Sequence, residues 1–219
     1  MSTKDKILQL AVKSFNDKGF GAVSMQSLAN DLNISRGNLT YHFKDKDALL
    51  AAIAELMWQR FELDKAKSRL LPSFENLHKE VRLIYEFQKE FAFVFLDARM
   101  AGHPKLKSSI KKMQQFSVEN HKIAIAFSIQ LGNMKAEKIA GTYNSLSYVI
   151  WLLSTYCLFQ KVSVGEKSIK EVENTIWSLI LPHMTKKGHS AFKKFFGDKY
   201  FNQIGAPFDK NMENDNFFF

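Results

Sequence analysis

The sequence predicts an all-α protein, and three observations support that fold class. Hydrophobic residues recur at helical spacing along most of the chain, and no run of alternating apolar and polar residues lasts more than a few positions, as a strand would need. Only four prolines and ten glycines interrupt the 219 residues. Because 46% of the residues are hydrophobic, the chain can fold into a globular protein with a sizeable core.

The first predicted helix spans residues 4–18 and ends at Gly19, since glycine readily adopts the left-handed conformation found at helix ends. One stripe of this helix is apolar and consists of Ile7, Leu8, Ala11, Val12 and Phe15. Ser24 is a favourable N-cap for a second helix over residues 25–32, and Asn33 tolerates the tight turn that follows. The spacing therefore predicts two helices before residue 34.

Ser35 is the predicted N-cap of a short third helix that extends to Phe43. Leu39 and Phe43 lie four residues apart and face inward. The opposite face is small, polar and aromatic, and it consists of Gly37, Asn38, Thr40 and Tyr41. Two short helices joined by about three residues, with such a face on the second, match a helix-turn-helix whose second helix enters the DNA major groove.

Asp45 caps a long fourth helix that begins at Lys46 and joins the first part of the chain to the rest. Further helices are predicted over residues 73–101, 104–131, 136–160, 168–181 and 190–203, with a capping-box pattern at Ser168 and Glu171. The polar stretch after Gly205 is typical of a loose tail, although it ends in three phenylalanines. We predict a DNA-binding domain over residues 1–46, a helical domain over 47–205 and a tail over 206–219.

Charge and cysteine content limit the setting in which the protein works. The formal net charge of +9 attracts polyanions, either nucleic acid or an acidic membrane surface. The first fifty residues hold seven basic and five acidic residues, so DNA binding must depend on their arrangement. The single cysteine, Cys157, excludes an intramolecular disulfide. No apolar signal core follows Met1, and residues 148–159 are too short to span a bilayer. We expect a cytoplasmic protein without stable membrane insertion.

The segment AVSMQSLANDLNISRGNLTYHFKDKDALL resembles the N-terminal DNA-binding signature of the TetR family of regulators. The resemblance extends over roughly residues 4–56 and includes the inward Leu39 and the aromatic-His-Phe run in register. It implies DNA contacts at Ser24, Met25, Gln26, Ser35, Arg36, Gly37, Asn38, Thr40, Tyr41, His42 and Lys46. Among these, Arg36 and Asn38 are best able to address base edges, and Gly37 lets the backbone approach DNA closely.

Several of these positions have a plainer alternative. The resemblance places Lys46, Tyr41 and His42 on phosphates. The sequence also fits an alternative in which Tyr41 or His42 packs against a neighbouring helix, and one in which Lys46 is only a solvated lysine. The serines at the starts of the second and third helices cap them in either case. Thr40 stands where the family often has an aromatic residue, and Asn33 where it often has glycine. These departures leave the base specificity open.

The resemblance also implies that the second part of the chain forms a homodimer and encloses a ligand. The predicted interface helices, over residues 136–160 and 168–181, carry Leu146, Val149, Ile150, Leu153, Ile176, Leu179 and Ile180. Candidate ligand-binding residues, for which core packing is the commoner role, are Phe91, Phe95, Phe116, Asn120, Tyr143, Ser147 and Trp151. The predicted function is a homodimeric repressor released from a near-palindromic operator by a small apolar or amphipathic ligand.

Other classes of function fit the sequence less well. We expect neither catalysis nor a cofactor or metal, because Cys157 lies in an apolar run typical of an inert thiol and the histidines lack ligand spacing. A ligand-independent architectural or activating DNA-binding protein is an alternative. A membrane-surface protein is another, since residues 186–201 interleave lysines with aromatic residues. We prefer to interpret that stretch as a helix packed on its own domain.

Overall fold

The computed structural model describes residues 2–67, 73–165 and 169–205. Within these ranges the chain forms thirteen α-helices and one short 3-10 helix, and its one strand-like feature is an isolated bridge between Met134 and Met184. The predicted all-α fold class is therefore confirmed. Ser168 and the tail over residues 206–219 lie outside the described residues, so the capping box and the tail stay predictions.

Four helices make up the N-terminal part: α1 Thr3–Lys18, α2 Met25–Asp31, α3 Arg36–His42 and α4 Lys46–Lys67. Ser2, Ser24 and Ser35 accept hydrogen bonds from backbone N–H groups in the first turns of α1, α2 and α3. Gly19 ends α1 with a φ of 80°, a conformation that glycine adopts without strain. These helices begin and end within a residue or two of their predicted bounds.

The predicted single helix over residues 73–101 is three helices: α5 Phe74–Glu90, α6 Ala92–Phe95 and α7 Ala98–Ala101. α5 ends because Phe91 leaves the helical conformation, with φ −118° and ψ 42°. Asp97 then caps α7 by accepting a hydrogen bond from the Arg99 N–H at 2.9 Å. The long α8, Pro104–Gln130, begins with proline in its first turn, as predicted.

The predicted helix over residues 136–160 begins later and is divided into α9 Thr142–Thr155 and α10 Cys157–Val164. Gly141, with a φ of 92°, precedes α9. The break at Tyr156 is stabilised from α5 by the buried Gln88. Its amide donates to the Ser154 carbonyl at 2.7 Å and accepts from the Leu158 N–H at 3.0 Å. Because this glutamine satisfies backbone groups on both sides of the break, the interruption costs few hydrogen bonds.

The C-terminal helices are α11 Ile169–Ile180, α12 Lys186–Phe196 and α13 Asp198–Asn202, with the 3-10 helix Leu181–His183 between the first two. α12 begins before the predicted residue 190 because Thr185 caps it, and Gly197 separates it from α13 with a φ of 89°. Phe192 is fully buried, and its ring centroid lies 4.9 Å from that of Trp177. This stretch therefore packs on its own domain, as the preferred interpretation expects, but as two helices rather than one.

Two apolar cores fill the described part of the molecule. The first joins α1–α3 to α4 and also takes in buried residues of α6, α7 and the first half of α8. The second lies among α5, the end of α8, α9–α11 and α12. Since α4 packs on both α1 and α8, a movement of α4 would reach the N-terminal helices directly. The domain boundary at residue 46 stays a prediction.

Candidate DNA-binding interface

The turn between α2 and α3 is fixed by local hydrogen bonds. Asn33 adopts a left-handed conformation with a φ of 53°, and the following Ile34 N–H donates to the Ala29 carbonyl at 3.1 Å. The Asn38 N–H donates to the Ser35 hydroxyl at 3.0 Å and so caps α3. Asparagine is one of the few residues other than glycine that occupy this conformation at small cost. It therefore replaces the family's usual glycine without loss of the turn.

The two faces of α3 differ as the sequence predicts. Leu39 on α3 and Phe43 just after it are buried in the first core, which anchors the helix. Arg36 and Asn38 are exposed on the opposite side, and the Tyr41 ring is 86% exposed. An anchored helix with an exposed basic, amide and phenol face has the form needed to enter a groove.

Thr40 and His42, both half-buried on α3, make contacts within their own helix. The Thr40 hydroxyl donates within the helix to the carbonyls of Arg36 and Gly37, at 3.0 and 3.1 Å. His42 is half-buried, with its ring centroid 5.4 Å from that of Tyr41 in an edge-to-face arrangement. Packing of Tyr41 on a neighbouring helix is not what the structure has, because its ring is largely in solvent.

Gly37 lies in the first turn of α3, where a side chain would meet almost nothing. A Cβ added there would have its nearest neighbour, the Ser35 hydroxyl, at 3.8 Å. The fold of the chain therefore does not require glycine at this position. What glycine provides is an uncovered stretch of backbone on the outer face of α3.

Lys46 is half-buried, and its side chain lies against the protein. Its ammonium group donates to the Phe20 carbonyl and lies 4.1 Å from the Phe20 ring centroid, within range of a cation–π interaction. Burial lowers the pKa of Lys46 below its ordinary value. The predicted phosphate contact of Lys46 stays a prediction. Lys44, two residues earlier in the chain, is an exposed cation that was not among the predicted contacts.

At the start of α2 the predicted contacts are arranged as a short polar edge. Ser24 and Gln26 are exposed, and Met25 is half-buried against the first core. The Gln26 amide donates to the Asn30 side chain at 2.8 Å, one turn further along the helix. Four residues, 32–35, separate α2 from α3, and the two helices pack against each other.

The seven predicted ligand-binding residues do not surround one cavity. Phe95 and Trp151 line a small cavity of about 30 Å³ beside α4, together with Phe61 and Ser117. Phe91 is buried in the first core, and Phe116 packs against that core. The remaining three, Asn120, Tyr143 and Ser147, are buried or half-buried outside either cavity wall. The Tyr143 hydroxyl donates to the Lys135 carbonyl, and the Ser147 hydroxyl to the Tyr143 carbonyl.

A second cavity of about 260 Å³, which we call the large cavity because it exceeds the one beside α4, lies between α5, α8, α9 and α11, with α12 at its edge. A more open groove of about 600 Å³ lies beside His78, Arg82 and Glu173. The described wall residues of the large cavity are Ser73, Phe74, Leu77, His121, Ala124, Ile125, Phe127, Ser128, Leu131, Asn133, Met134, Ile150, Trp177, Ile180, Met184 and Phe195. This cavity could not be predicted from the sequence, because helical periodicity identifies inward faces and does not show where packing leaves a space.

The predicted dimer helices present a different face from the one expected. Leu146, Ile150, Ile176 and Ile180 are buried in the protomer's own core, so they are not available to a partner. The large apolar residues that α9–α11 and the break between α9 and α10 leave exposed are Tyr148, Tyr156, Phe159, Val162 and Leu179. Of the other three predicted residues, Val149 and Leu153 are half-buried and Leu179 is exposed, so the interface at these positions stays a prediction.

Other features bear on the alternative functions. Cys157 is buried, and that burial raises the pKa of its thiol, which makes it a poor nucleophile. No helix among the described residues is both long enough and apolar enough to cross a membrane.

The chain matches two family models in succession. One, described as bacterial regulatory proteins of the tetR family, matches residues 7–53, and the other, described as a bacterial transcriptional repressor, matches residues 53–192. YhgD, an uncharacterized HTH-type transcriptional regulator of Bacillus subtilis (strain 168), is 28% identical over 137 residues, which are 60% of this chain and 72% of YhgD.

Solved structures share the fold. A TetR-family transcriptional regulator from Marinobacter aquaeolei VT8 has a TM-score of 0.72 at 20% identity, over 91% of this chain and 99% of that one. AibR, solved in complex with isovaleryl coenzyme A and operator DNA, has a TM-score of 0.62 at 16% identity, over 83% of this chain and 100% of AibR. The helix-turn-helix geometry, the two matching models and these folds lead to one conclusion: the chain belongs to the TetR family of bacterial transcriptional regulators.

Proposed function

We propose that this regulator is a homodimeric repressor that binds a near-palindromic operator through α3 and leaves it when a small ligand binds. The observation that carries the proposal is the outer face of α3, where Arg36, Asn38 and Tyr41 are exposed over a buried anchor at Leu39. Arginine and asparagine form bidentate hydrogen bonds with guanine and adenine edges, respectively. In our proposal these two side chains read bases, and Tyr41 and His42 contact the phosphates.

The proposed dimer uses the exposed apolar face of α9–α11. Five large side chains on neighbouring helices, Tyr148, Tyr156, Phe159, Val162 and Leu179, are exposed in the protomer. Large apolar side chains exposed in such numbers on successive helices commonly mark an interaction surface. Packed against a second copy about a two-fold axis, they would set the two α3 helices in opposite directions, and this arrangement favours an operator with inverted half-sites.

Repression and release are supported by the relatives. The model that matches residues 53–192 is described as a transcriptional repressor, and AibR was solved with both a small molecule and operator DNA. α4 packs on α8, which lines both cavities, so a ligand that displaces α8 would move α4 and with it the N-terminal helices. Acting on DNA inside bacteria, the protein would work in the cytoplasm.

The test is selection of bound sequences from a random pool of duplex DNA by the purified protein. We expect enrichment of a near-palindromic motif with two half-sites separated by about one helical turn. Absence of enrichment, with binding that simply vanishes as salt rises, would contradict sequence-specific regulation and leave only charge attraction. Enrichment of a single, asymmetric half-site would retain α3 as the reading element and contradict the dimer.

A further inference from the structure

The wall of the large cavity is mostly apolar and carries four aromatic rings, those of Phe74, Phe127, Trp177 and Phe195. No aspartate, glutamate, lysine or arginine is among its described wall residues. At about 260 Å³ it lies just below the roughly 300 Å³ at which pockets for drug-sized ligands begin. The space therefore suits a small molecule with an apolar body.

The one titratable side chain in this wall, His121, already has a partner for each ring nitrogen. Nε2 lies 3.0 Å from a Glu80 carboxylate oxygen, and Nδ1 lies 3.1 Å from the Ser147 carbonyl oxygen. Both ring nitrogens already have partners within the protein, so neither is free to bind a ligand.

Ser128 and Asn133 provide hydrogen-bonding groups at one end of the cavity. They lie together, because the Asn133 N–H donates to the Ser128 carbonyl at 2.9 Å. Their side chains make no hydrogen bond to another described residue, although both line the cavity. A hydroxyl and an amide can both donate and accept, so they suit a neutral polar group such as a hydroxyl, carbonyl or amide.

α12 closes the cavity on the side of Ser128 and Asn133. The Thr185 hydroxyl donates to the Gly132 carbonyl at 2.7 Å, and Gly188 packs directly on the Asn133 carbonyl, where a Cβ would lie only 2.1 Å from the oxygen. The first turn of α12 is therefore fixed. Phe195, near the other end of α12, and Leu131, just after α8, line the cavity and are 52% and 44% exposed, so both of these wall residues also face solvent.

We propose that the large cavity binds the effector, and that this effector is a small uncharged molecule with an apolar body and one hydrogen-bonding group directed at Ser128 and Asn133. The inference rests on the proposed function only in naming the ligand as the effector. A charged ligand would lose its hydration here without gaining a counter-ion, and this loss is the physical basis of the selection against charge.

The first test uses two fluorescent probes that share one skeleton: neutral N-phenylnaphthylamine and the anionic anilinonaphthalene sulfonate. We expect the neutral probe to bind the full-length protein with a Kd at least roughly tenfold lower. Equal or tighter binding of the sulfonate at the same site would overturn the assignment of an uncharged ligand.

The second test uses a matched pair of substitutions on α8. Ala124 lines the cavity, whereas Ala126 is exposed on the same helix and lies outside the cavity wall. Ala124→Phe should fill the space and raise the Kd of the neutral probe at least roughly tenfold, and Ala126→Phe should leave it unchanged. Equal affinity in both variants would overturn the site. If Ala124→Phe unfolds, Ser128→Phe replaces it, with circular dichroism as the check on folding.

The role of the site in regulation is measured separately, on a duplex selected from the random pool. The neutral probe should lower the affinity of the parent protein for that duplex and leave the affinity of Ala124→Phe unchanged. Probe binding without any selected duplex contradicts the proposed function and leaves the cavity site standing. If a duplex is selected but the affinity of the protein for it does not change when the probe is bound in the cavity, only the assignment of the ligand as the effector is contradicted.

Discussion

The outer face of α3 and the wall of the large cavity are constructed in opposite ways. The candidate DNA contacts on α3 come from one short stretch of chain, are exposed, and are held by a cap and two anchors within the same stretch. The cavity wall draws residues from five helices between α5 and α12. A surface site can therefore be encoded within one short stretch of sequence, whereas an interior site depends on contacts between residues far apart in the sequence.

The largest expected effect concerns the dimer, which couples the two regions. Phe159→Glu places a charge in the exposed apolar face of α9–α11 and should give a monomer by sedimentation. Loss of the second half-site contact should then weaken binding to the selected duplex by roughly 10²- to 10⁴-fold. Ile123→Glu, an equally exposed apolar position on α8, is the control and should remain dimeric. A dimeric Phe159→Glu protein contradicts the proposed interface.

Two glycines separate the requirements of folding from those of DNA binding. Gly188→Ala should lower the free energy of unfolding by about 1–3 kcal/mol, because its Cβ meets a backbone oxygen that cannot move aside. Gly37→Ala should change stability by less than about 1 kcal/mol, since its Cβ meets open space and alanine favours a helix. It should nevertheless weaken DNA binding. Urea unfolding of both variants measures the stability effect, and titration with the duplex measures the effect on DNA binding. Equal losses of stability in the two variants would contradict the assignment of Gly188 to folding and of Gly37 to DNA binding.

Arg36→Ala tests base recognition on α3. It should cost about 1–3 kcal/mol of binding free energy on the selected duplex, and less on duplexes altered at the base that Arg36 reads. The measurement is a titration of the variant against single-base substitutions of the motif. A uniform loss across all these duplexes would place Arg36 on a phosphate instead.

The variants Lys46→Ala and Lys44→Ala compare a lysine that donates to the Phe20 carbonyl with one that is exposed to solvent. If Lys46 exchanges its Phe20 carbonyl for a phosphate on DNA, Lys46→Ala should weaken binding to every sequence alike and reduce the salt slope by about one. Lys44→Ala is the matched substitution at the exposed neighbour. A reduced slope for Lys44→Ala alone would transfer the phosphate contact to Lys44.

The smallest expected effect is a pH dependence from His78 beside the second core. Its Nε2 accepts a hydrogen bond from the Trp177 indole N–H at 2.7 Å. Burial lowers its pKa below the ordinary 6.5, Glu173 opposes that shift, and Arg82 adds to it. Between the folded-state pKa and 6.5 the unfolded chain binds more protons than the folded chain. The free energy of unfolding should therefore fall as the pH falls through this window.

Urea unfolding at several pH values measures this effect, and His78→Gln should remove the His78 part of it. The glutamine side chain keeps an acceptor within reach of Trp177 while losing the titration. An unchanged pH dependence in His78→Gln would mean that other groups account for it.

Much of the N-terminal part could be predicted because its determinants are local. The serine caps, the left-handed Asn33 and the spacing of Leu39 and Phe43 lie within a few residues of the elements they define. The break between α9 and α10 could not be predicted, because the Gln88 that stabilises it is 66 residues from Ser154 in the sequence. The requirement for glycine at position 188 likewise depends on the distant Asn133 carbonyl.

The candidate site divides in the same way. The exposure of Arg36 and Asn38 followed from helical period, but the partner of Lys46 did not, since the Phe20 carbonyl belongs to a turn 26 residues away. Of the aromatic residues predicted for the ligand, Phe91 and Phe116 belong to the first core or pack on it, whereas Phe95 and Trp151 line the small cavity. The large cavity has a wall drawn from α5, α8, α9, α11 and α12, which helical period alone does not bring together.

The most direct test of the central claim, that α3 reads DNA, is hydrogen–deuterium exchange of the full-length protein with and without the selected duplex. If α3 enters the DNA groove, backbone amides over residues 24–46 should exchange more slowly in the complex, and those over the basic residues 186–201 should not change. Protection over residues 186–201 with none on α3 would contradict this claim and would assign DNA binding to the basic C-terminal helices instead.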